Sequence, residues 1–209
     1  MKNIKYKHSN LARYSKYQII VNNTGKKKTI LDIGCNDGYM GRISDKTNIF
    51  YGLDYNKKAI SKAKEIYRDA IYYDLNSLTK LPWNIKFDVI IFADILEHIL
   101  FPENTLDFFT KTYLNSGGKI IISLPNIANW QIRIRLLLGR FNYKDNGILE
   151  KTHLHFYTFN TAQELVRKSN LKIINILYGA NYFGPFIKIS KGILKNLLAT
   201  NIIFICEKD

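Results

Sequence analysis

The chain contains 209 residues, of which 46% are hydrophobic and 23% are charged, a balance typical of a soluble globular protein. No stretch approaches the roughly 18 consecutive apolar residues of a membrane span, and the basic N-terminal segment lacks the continuous apolar core of a secretory signal. We therefore expect a cytoplasmic protein without a membrane span, folded as a single domain over residues 1–209.

The net charge is +14, and a charge of this size attracts phosphate-rich partners such as nucleic acid. The lysines are nevertheless dispersed through the chain, and only residues 26–28 form a run. We therefore do not expect nucleic acid as the partner, whereas small anionic molecules are compatible with this charge. Composition leaves the oligomeric state undetermined.

In chain order, the sequence predicts a leading helix at 10–21, followed by short apolar runs that alternate with amphipathic stretches. This alternation is the pattern of an α/β sheet. The apolar runs have the length and the Ile, Val, Phe and Tyr content of buried strands, and they lie at 29–33, 49–53, 70–73, 87–93 and 119–124. Helices are predicted between them at 56–67, where Asn56 is a plausible N-cap, and at 103–114, directly after Pro102.

Beyond residue 124 the pattern changes to a helix at 125–139, a polar loop at 142–151 and a helix at 158–170 that Thr158 or Asn160 caps. A strand at 172–178, a helical stretch after residue 184 and a strand at 201–207 complete the chain. The prediction is therefore a sheet of seven strands with a late hairpin-like pair. The segment at about 125–158 is an insertion between the fifth and sixth strands.

The first predicted strand leads directly into a glycine-containing turn, at a place where backbone N–H groups and a helix N-terminus can face a ligand. Gly34 and Gly38 permit close approach or positive φ angles, and Asn36 between them is a residue type that tolerates left-handed geometry. The dinucleotide pattern G-x-G-x-x-G fails, because its second and third positions are Asn36 and Tyr39. The spacing is instead acid-x-Gly-x-x-x-Gly, beginning at Asp32; the alternative is a plain strand–helix connection.

Two further acidic residues follow the next two predicted strands. Asp54 lies about 20 residues beyond Gly34, where an acid binds ribose hydroxyls in Rossmann-type sites, and Asp74 follows the third strand. Because the carboxyl ends of parallel strands meet at one edge of a sheet, Asp32, Asp54 and Asp74 are expected along that edge. Open α/β sheets bind their ligands there, which favours a nucleoside-containing ligand over a purely structural connection.

Four segments together resemble the class I S-adenosylmethionine-dependent methyltransferases in order and spacing: LDIGCNDG, GLDY, YDLN and FDVIIFADILEH. The likeness covers roughly residues 10–209 and is greatest to a small bacterial branch related to methionine-biosynthesis protein W, whose His-x-x-x-[Phe/Tyr]-Thr feature is similar to residues 153–158. The resemblance implies a Rossmann-like α/β fold: a seven-stranded, mostly parallel sheet with helices on both faces and an antiparallel last strand. It also implies S-adenosylmethionine as the cofactor.

The resemblance further implies a role for each residue of the motifs. The amino acid end of the cofactor would be held by Asp32 and the turn residues Gly34, Cys35, Asn36 and Gly38. Asp54 would bind both ribose hydroxyls, with Tyr55 against the adenine. Asp74 would accept from the adenine amino group, and Leu75 would add backbone contacts. Ala93 and Asp94 would form the floor beneath the methionine moiety. Asn36 stands where the family usually has the middle glycine of the turn.

Methyl transfer is an in-line displacement, for which the cofactor supplies the reactivity and the protein supplies alignment and in some cases a base. A hydroxyl acceptor favours histidine as the base, and the candidates are His98, after the fourth strand, and His153, in the insertion that would complete a substrate pocket. The alternative for each histidine is a hydrogen-bonded structural residue. These histidines and the two cysteines, Cys35 and Cys206, show no metal-ligand spacing, so no metal is expected.

The loop after the fourth strand bears on the acceptor. Methyltransferases that modify exocyclic amines of nucleic-acid bases resemble one another in an Asn/Asp-Pro-Pro-Tyr/Phe segment there, whereas this chain has ADILEH. We therefore expect a small-molecule or glycan acceptor, methylated at oxygen. The aromatic residues of the insertion either line its pocket or pack beneath a lid; they are Trp130, Phe141, Tyr143 and Phe156. Two alternatives are an NAD- or nucleotide-sugar-dependent Rossmann enzyme and a cofactor-binding module without catalysis.

Overall fold

The computed structural model describes residues 15–180 and 194–208. These residues form one seven-stranded sheet with helices packed on it. The strands are β1 Thr29–Ile33, β2 Ile49–Asp54, β3 Asp69–Tyr72, β4 Phe87–Ala93, β5 Leu114–Pro125, β6 Leu171–Gly179 and β7 Asn201–Lys208. The helices are α1 Lys16–Thr24, α2 Tyr39–Ile43, α3 Lys57–Ala63, α4 Pro102–Tyr113, α5 Trp130–Leu137, α6 Phe159–Lys168 and α7 Lys195–Leu198, with a single 3₁₀ turn at Leu96–His98.

The sheet has the strand order β3-β2-β1-β4-β5-β7-β6. Strands β1 to β5 are parallel, and β7 runs antiparallel to both of its neighbours, β5 and β6. This arrangement confirms the predicted Rossmann-like sheet with an antiparallel last strand. Strands β2 and β3 lie on one side of β1, and the chain then returns to place β4 on the other side. Open α/β sheets bind ligands at such a switch in strand order.

Both faces of the sheet are covered, as predicted. On one face, Leu106 of α4 and Leu165 of α6 are buried in a cluster with Leu31 and Ile33 of β1. On the other face, Ile20 of α1 and the α3 residues pack in a second cluster with alternate strand residues. Because side chains alternate across a strand and both faces are buried, the central strands are apolar along their whole length.

Local sequence signals set several boundaries of the elements. The side chain of Asn56 accepts from the backbone N–H groups that open α3, and Pro102 occupies the first position of α4. Thr158 caps α6 in a reciprocal capping box with Thr161. These three starts agree with the sequence predictions, and both β1 and β4 have their predicted bounds.

Other boundaries differ from the predictions. Strand β5 begins at Leu114 rather than 119, because Leu114 pairs with Phe87 across a register shift. Helix α5 begins at Trp130 rather than 125, because the side chain of Asn129 caps it there. Helix α3 ends at Ala63 rather than at residue 67. The backbone N–H groups of Glu65 and Ile66 donate to the carbonyls three residues earlier, as in a 3₁₀ helix.

Two predicted helices lie partly outside the described residues. The leading helix begins at Lys16, capped by Ser15, and residues 10–14 of its predicted span are outside the described part. The helical stretch after residue 184 is described only from 194 onward, where α7 is four residues long. Within the described ranges, none of the helices has the length and apolar character needed to cross a membrane.

Candidate active site

The glycine turn after β1 is built from left-handed backbone. Gly34, Asn36 and Gly38 have φ angles of 78°, 47° and 81°, so the asparagine adopts the conformation that its side chain tolerates. The N–H groups of Gly34 and Cys35 both donate to the carbonyl of Leu53. A Cβ on Gly34 would lie 2.9 Å from Ile95 Cδ1. The turn is therefore packed closely between the ends of β2 and β4.

The carboxylate of Asp54 joins this turn to the start of α3. Its Oδ2 accepts from the N–H of Asn36 at 2.8 Å, and its Oδ1 accepts from the N–H of Asn56 at 2.7 Å. The next residue, Tyr55, is 70% exposed, and its ring lies 5.3 Å from that of Tyr72. The structure thus holds the carboxylate of Asp54 and the exposed ring of Tyr55 at the predicted edge, and the contact with Tyr72 is an addition that the sequence did not predict.

Asp32 lies beneath the turn rather than on its surface. It is buried, and its Oδ2 accepts from the hydroxyl of Tyr67 at 2.6 Å. Burial raises the pKa of Asp32 to about 7; the Tyr67 hydrogen bond opposes this shift and the nearby charge of Asp54 adds to it. The sequence did not predict Tyr67 as a partner, because the hydrogen bond joins residues far apart in the chain.

Asp74 and Leu75 begin the loop after β3. The Oδ1 of Asp74 accepts from the backbone N–H of Asn76 at 3.0 Å, and Asn76 in turn accepts from the N–H of Leu100 at 3.2 Å. Leu75 is partly buried against the main core cluster. Asp74 therefore lies in a loop that is bonded to the segment after β4.

Ala93 ends β4, and Asp94 follows it with a φ of 52°. Asp94 accepts from Ser123 Oγ at 2.6 Å, from Asn201 Nδ2 at 3.0 Å and from the ammonium group of Lys16. These contacts tie the ends of β4, β5 and β7 to α1. Sequence reasoning did not identify Ser123, Asn201 or Lys16, which come from three separate elements.

A cavity of about 530 Å³ opens beside Asp94 at the carboxyl ends of β4 and β5. Its walls include Lys16, Asp94, Glu97, His98, Arg135 and His153. The four aromatic residues proposed for a pocket are not among the described lining residues. Phe141 instead packs against Tyr143 and Phe156, with ring centroids 5.7 Å apart in each pair. Packing thus explains these rings better than contact with a substrate does.

The structure brings His98 and His153 together on the cavity wall, with ring centroids 4.7 Å apart. His98 Nδ1 lies 3.1 Å from the carbonyl of Thr152, and His153 Nδ1 lies 3.0 Å from the carbonyl of Ile148. A carbonyl oxygen only accepts, so each Nδ1 carries the donated proton, and in the neutral form of such a ring the lone pair is on Nε2. Burial lowers the pKa of His153, and the neighbouring His98 lowers it further.

Glu97 is a buried carboxyl group behind these histidines. Its side chain is 0% exposed, and among the described residues neither carboxylate oxygen has a hydrogen-bond donor. Its Oε1 lies 3.8 Å from His153 Nε2. Burial, followed by the charge of Asp94, raises the pKa of Glu97. The sequence offered a signal for this group in the Glu97-His98 pair directly after β4, but the meeting with His153 depends on the fold.

Three features of the β1–β2 edge fit S-adenosylmethionine, the cofactor that the motifs imply. The left-handed turn brings the chain close to the sheet edge. Asp54 places there a carboxylate suited to ribose hydroxyls. Asp37 Oδ1 is buried with no donor among the described residues, which suits a ligand that carries an ammonium group. The residues present therefore fit the cofactor.

Comparison with curated proteins finds relatives of two kinds. The chain is 30% identical over 108 residues to the mitochondrial ubiquinone biosynthesis O-methyltransferase of Candida albicans, covering 47% of this chain and 32% of that protein. It is 32% identical over 105 residues to the tRNA U34 carboxymethyltransferase of Campylobacter fetus, covering 46% and 36%. The match thus spans about a third of the length of each of these relatives.

Solved structures share the whole fold at low identity. An S-adenosylmethionine-dependent methyltransferase from Mesorhizobium loti aligns with a TM-score of 0.64 at 14% identity, covering 94% of this chain and 98% of that one. A TehB-like S-adenosylmethionine-dependent methyltransferase from Corynebacterium glutamicum aligns at 0.62 and 15%, covering 97% and 90%. The family model described as a methyltransferase domain matches residues 5–176. The chain therefore belongs to the methyltransferase domain family, and family and fold together imply S-adenosylmethionine as its cofactor.

Proposed function

We propose that the chain transfers the methyl group of S-adenosylmethionine to an oxygen atom of a small-molecule or glycan acceptor. The observation that carries this proposal is the cavity of about 530 Å³ beside Asp94. Pockets of roughly 300–1,000 Å³ are typical for small ligands. The cavity lies at the same sheet edge as the glycine turn, on the side of β4 and β5, so an acceptor there would face a cofactor bound over β1 and β2.

In this proposal the cofactor occupies the turn and the strand ends next to it. Asp54 binds the ribose hydroxyls, Tyr55 lies against the adenine, and Asp74 with Leu75 contacts the adenine edge. The amino acid end lies against the turn above Asp32, and Ala93 and Asp94 form the floor beneath the sulfonium. The remaining turn residues in contact with the cofactor are Gly34, Cys35, Asn36 and Gly38.

The proposed reaction needs alignment and removal of one proton. The acceptor oxygen attacks the methyl carbon in line with the sulfur, a C–O bond forms, and the C–S bond breaks with its electron pair remaining on sulfur. The acceptor loses its proton to an Nε2 lone pair of His98 or His153, which both line the cavity. A histidine that is neutral near pH 7 is suited to this step.

The charges of the cavity favour an acceptor that carries an anionic group. Arg135 of α5 and Lys144 in the following loop both line the cavity, and guanidinium and ammonium groups bind carboxylates and phosphates. Of the two curated relatives, one is named for O-methylation and one for modification of tRNA. The size of the cavity supports the small acceptor, and RNA is the alternative outcome of the test.

The first experiment is calorimetric titration of the purified protein with S-adenosylmethionine, S-adenosylhomocysteine and NAD. We expect micromolar binding of both adenosyl ligands and none of NAD. Binding of NAD alone would overturn the proposal. An absence of binding by all three would also overturn the proposal, whereas binding of both adenosyl ligands without turnover of any acceptor would favour the cofactor-binding module without catalysis.

The second experiment is an acceptor screen that measures formation of S-adenosylhomocysteine. Sugars, nucleotide-sugars and small phenols or alcohols with an anionic group are the test set, and total tRNA is the comparison. We expect turnover with a member of the small-molecule set. Turnover with tRNA alone would replace the small acceptor with RNA.

The likeness to one small bacterial branch and the cytoplasmic location stay predictions.

A further inference from the structure

The buried carboxylate of Glu97 has no hydrogen-bond partner for either oxygen among the described residues, although it is 0% exposed. Burying such a group without a hydrogen bond or a countercharge is costly. Buried carboxyl groups are therefore usually paired or coordinate metals. Glu97 is among the residues that line the cavity.

Two histidines near Glu97 each have one ring nitrogen held by a backbone carbonyl. The Nδ1 atoms of His98 and His153 are engaged with the carbonyls of Thr152 and Ile148, at 3.1 and 3.0 Å. Both Nε2 lone pairs are therefore available. Histidines that bind metals usually donate their other ring N–H to a carbonyl or carboxylate, which fixes the tautomer and the orientation of the ring.

The three side chains are close enough to share one ion. Glu97, His98 and His153 each offer one ligand atom, and these atoms all lie within 4.8 Å of one another. A tetrahedral ion about 2.1 Å from each ligand needs these atoms about 3.4 Å apart, so side-chain rotation must bring the widest-spaced of them closer by up to about 1.4 Å. Among the charged groups nearby, Asp94 and Glu150 act on Glu97 as negative charges and Lys16 acts as a positive one.

We propose that Glu97, His98 and His153 form a binding site for one divalent transition-metal ion, with an open coordination position that faces the cavity. Two imidazole nitrogens and one carboxylate oxygen are the ligand set of many catalytic zinc sites, and related sets bind Fe²⁺. Three protein ligands leave a position for water or for an oxygen of the acceptor. Mg²⁺, which prefers oxygen ligands, fits this set less well.

The metal site is inferred from geometry alone. The role that the ion would have in methyl transfer rests on the proposed function. An Nε2 lone pair cannot hold an ion and accept a proton at the same time. With an ion bound, the acceptor hydroxyl would coordinate it and lose its proton more easily to solvent water, because a bound cation lowers the pKa of a coordinated oxygen. The histidines would then act as ligands rather than as bases.

The test begins with metal binding, which needs no acceptor. Chelator-treated full-length protein is titrated by calorimetry with Zn²⁺, Mn²⁺ and Mg²⁺, and the bound metal is counted by mass spectrometry after removal of excess ion. The expected result is one Zn²⁺ per chain and much weaker binding of Mg²⁺. A chain that binds no transition metal would overturn the site while leaving cofactor binding, and thus the proposed methyl transfer, untouched.

Variants assign the ligands. Glu97→Gln, His98→Gln and His153→Gln should each weaken Zn²⁺ binding by at least about 100-fold. His155→Gln is the matched control, because His155 lies in the same loop but has its Nε2 3.0 Å from the carbonyl of Ile99, and it should bind Zn²⁺ as the unmodified chain does. Equal loss in His155→Gln, or unchanged binding in the other three, would overturn the assignment. Circular dichroism checks the folding of each variant. If Glu97→Gln unfolds, His98→Gln still tests the site, because His98 is only half-buried.

Discussion

Individual carboxylates of this site differ in what surrounds them, and their expected behaviour differs accordingly. Asp54 is half-buried at the sheet edge and accepts from two backbone N–H groups. Asp32 is buried against one tyrosine hydroxyl, and Glu97 has no donor among the described residues. Acidic side chains are thus found in three physical situations: a half-buried acceptor of backbone N–H groups, a buried acid that holds its proton near neutral pH, and a buried group without a hydrogen-bond donor beside the cavity.

Substitution of Asp54 tests its contact with the cofactor. Asp54→Asn keeps the size of the side chain but removes its charge, so binding of S-adenosylhomocysteine should weaken by roughly 1–3 kcal/mol through weaker hydrogen bonds to the ribose. Calorimetry measures the change. Asp88→Asn is the control, because Asp88 bonds Thr29 and Asn115 at the opposite edge of the sheet. An unchanged dissociation constant in Asp54→Asn would remove Asp54 from the site.

The buried Asp32 should make folding stability depend on pH. Its pKa of about 7 in the folded protein exceeds the ordinary 3.8, so the native state holds this proton more tightly than the unfolded chain. This stabilisation is present at acid pH and is lost as the pH rises from about 4 to about 7. The free energy of unfolding, measured with urea, should fall between pH 5 and pH 8. This fall should be smaller in Asp32→Asn than in the unmodified chain by on the order of 2 kcal/mol.

Tyr67→Phe provides the complementary control for Asp32. The Tyr67 hydroxyl lowers the pKa of Asp32, so its removal should move the pH window of stability loss upward. Parallel curves for the unmodified chain and both variants would show that Asp32 does not titrate in this range.

At the level of elements, the glycine turn depends on the strand beside it. Gly52 lies in β2, and a Cβ there would be 2.6 Å from Cys35 Sγ and 2.9 Å from the ring of Tyr67. The strand must therefore have glycine at this point for the turn to pack against it. The same contact buries Cys35, and burial raises the pKa of its thiol. Cys35 is thus placed to support the turn by packing.

The Gly52→Ala variant tests this packing. Insertion of a methyl group into a filled core typically costs about 1–3 kcal/mol, so urea unfolding should show a loss of this size. Binding of S-adenosylhomocysteine should also weaken, because the turn must shift. Adding Cys35→Ala removes the sulfur atom in closest contact and should restore part of both losses. If the double variant is no better than Gly52→Ala, the turn does not depend on this contact.

At the scale of the whole molecule, ligand binding and folding are coupled. Residues from β1, β2 and the loops after β3 and β4 form the proposed cofactor site, so a bound ligand stabilises all of them together. At a ligand concentration of 100 times the dissociation constant, the gain is about 2.7 kcal/mol. For a chain of this size, S-adenosylhomocysteine should raise Tm by roughly 5–11 °C. NAD should leave Tm unchanged, and an equal shift with NAD would contradict the assignment of the cofactor.

The cavity is also a product of the whole molecule, and its charged wall can be tested. Arg135→Ala should raise KM at least 10-fold for an anionic acceptor found in the screen, with a smaller effect on kcat. Arg140→Ala is the matched control, because Arg140 is exposed and lies outside the cavity lining. A similar KM change in both variants would mean that only general surface charge attracts the acceptor.

The sequence by itself determined the succession of strands along the chain, the glycine turn and the acidic residues at the strand ends. These features depend on local patterns, such as apolar runs, caps at Asn56 and Thr158, and glycine where φ is positive. Neighbouring parallel strands bring their carboxyl ends to one edge, so the predicted positions of Asp54 and Asp74 followed from strand order alone.

Only the tertiary structure decided which groups from distant segments meet. The Tyr67–Asp32 bond, the partners of Asp94 and the cluster of Glu97 with His153 all join separate elements. The loop that carries His153 is held against the 3₁₀ turn because the N–H groups of Leu154 and His155 donate to the carbonyl of Glu97. No local pattern encodes such contacts, since they depend on how the loops after β4 and α5 pack. The cavity and the proposed metal site therefore belong to the fold rather than to any motif.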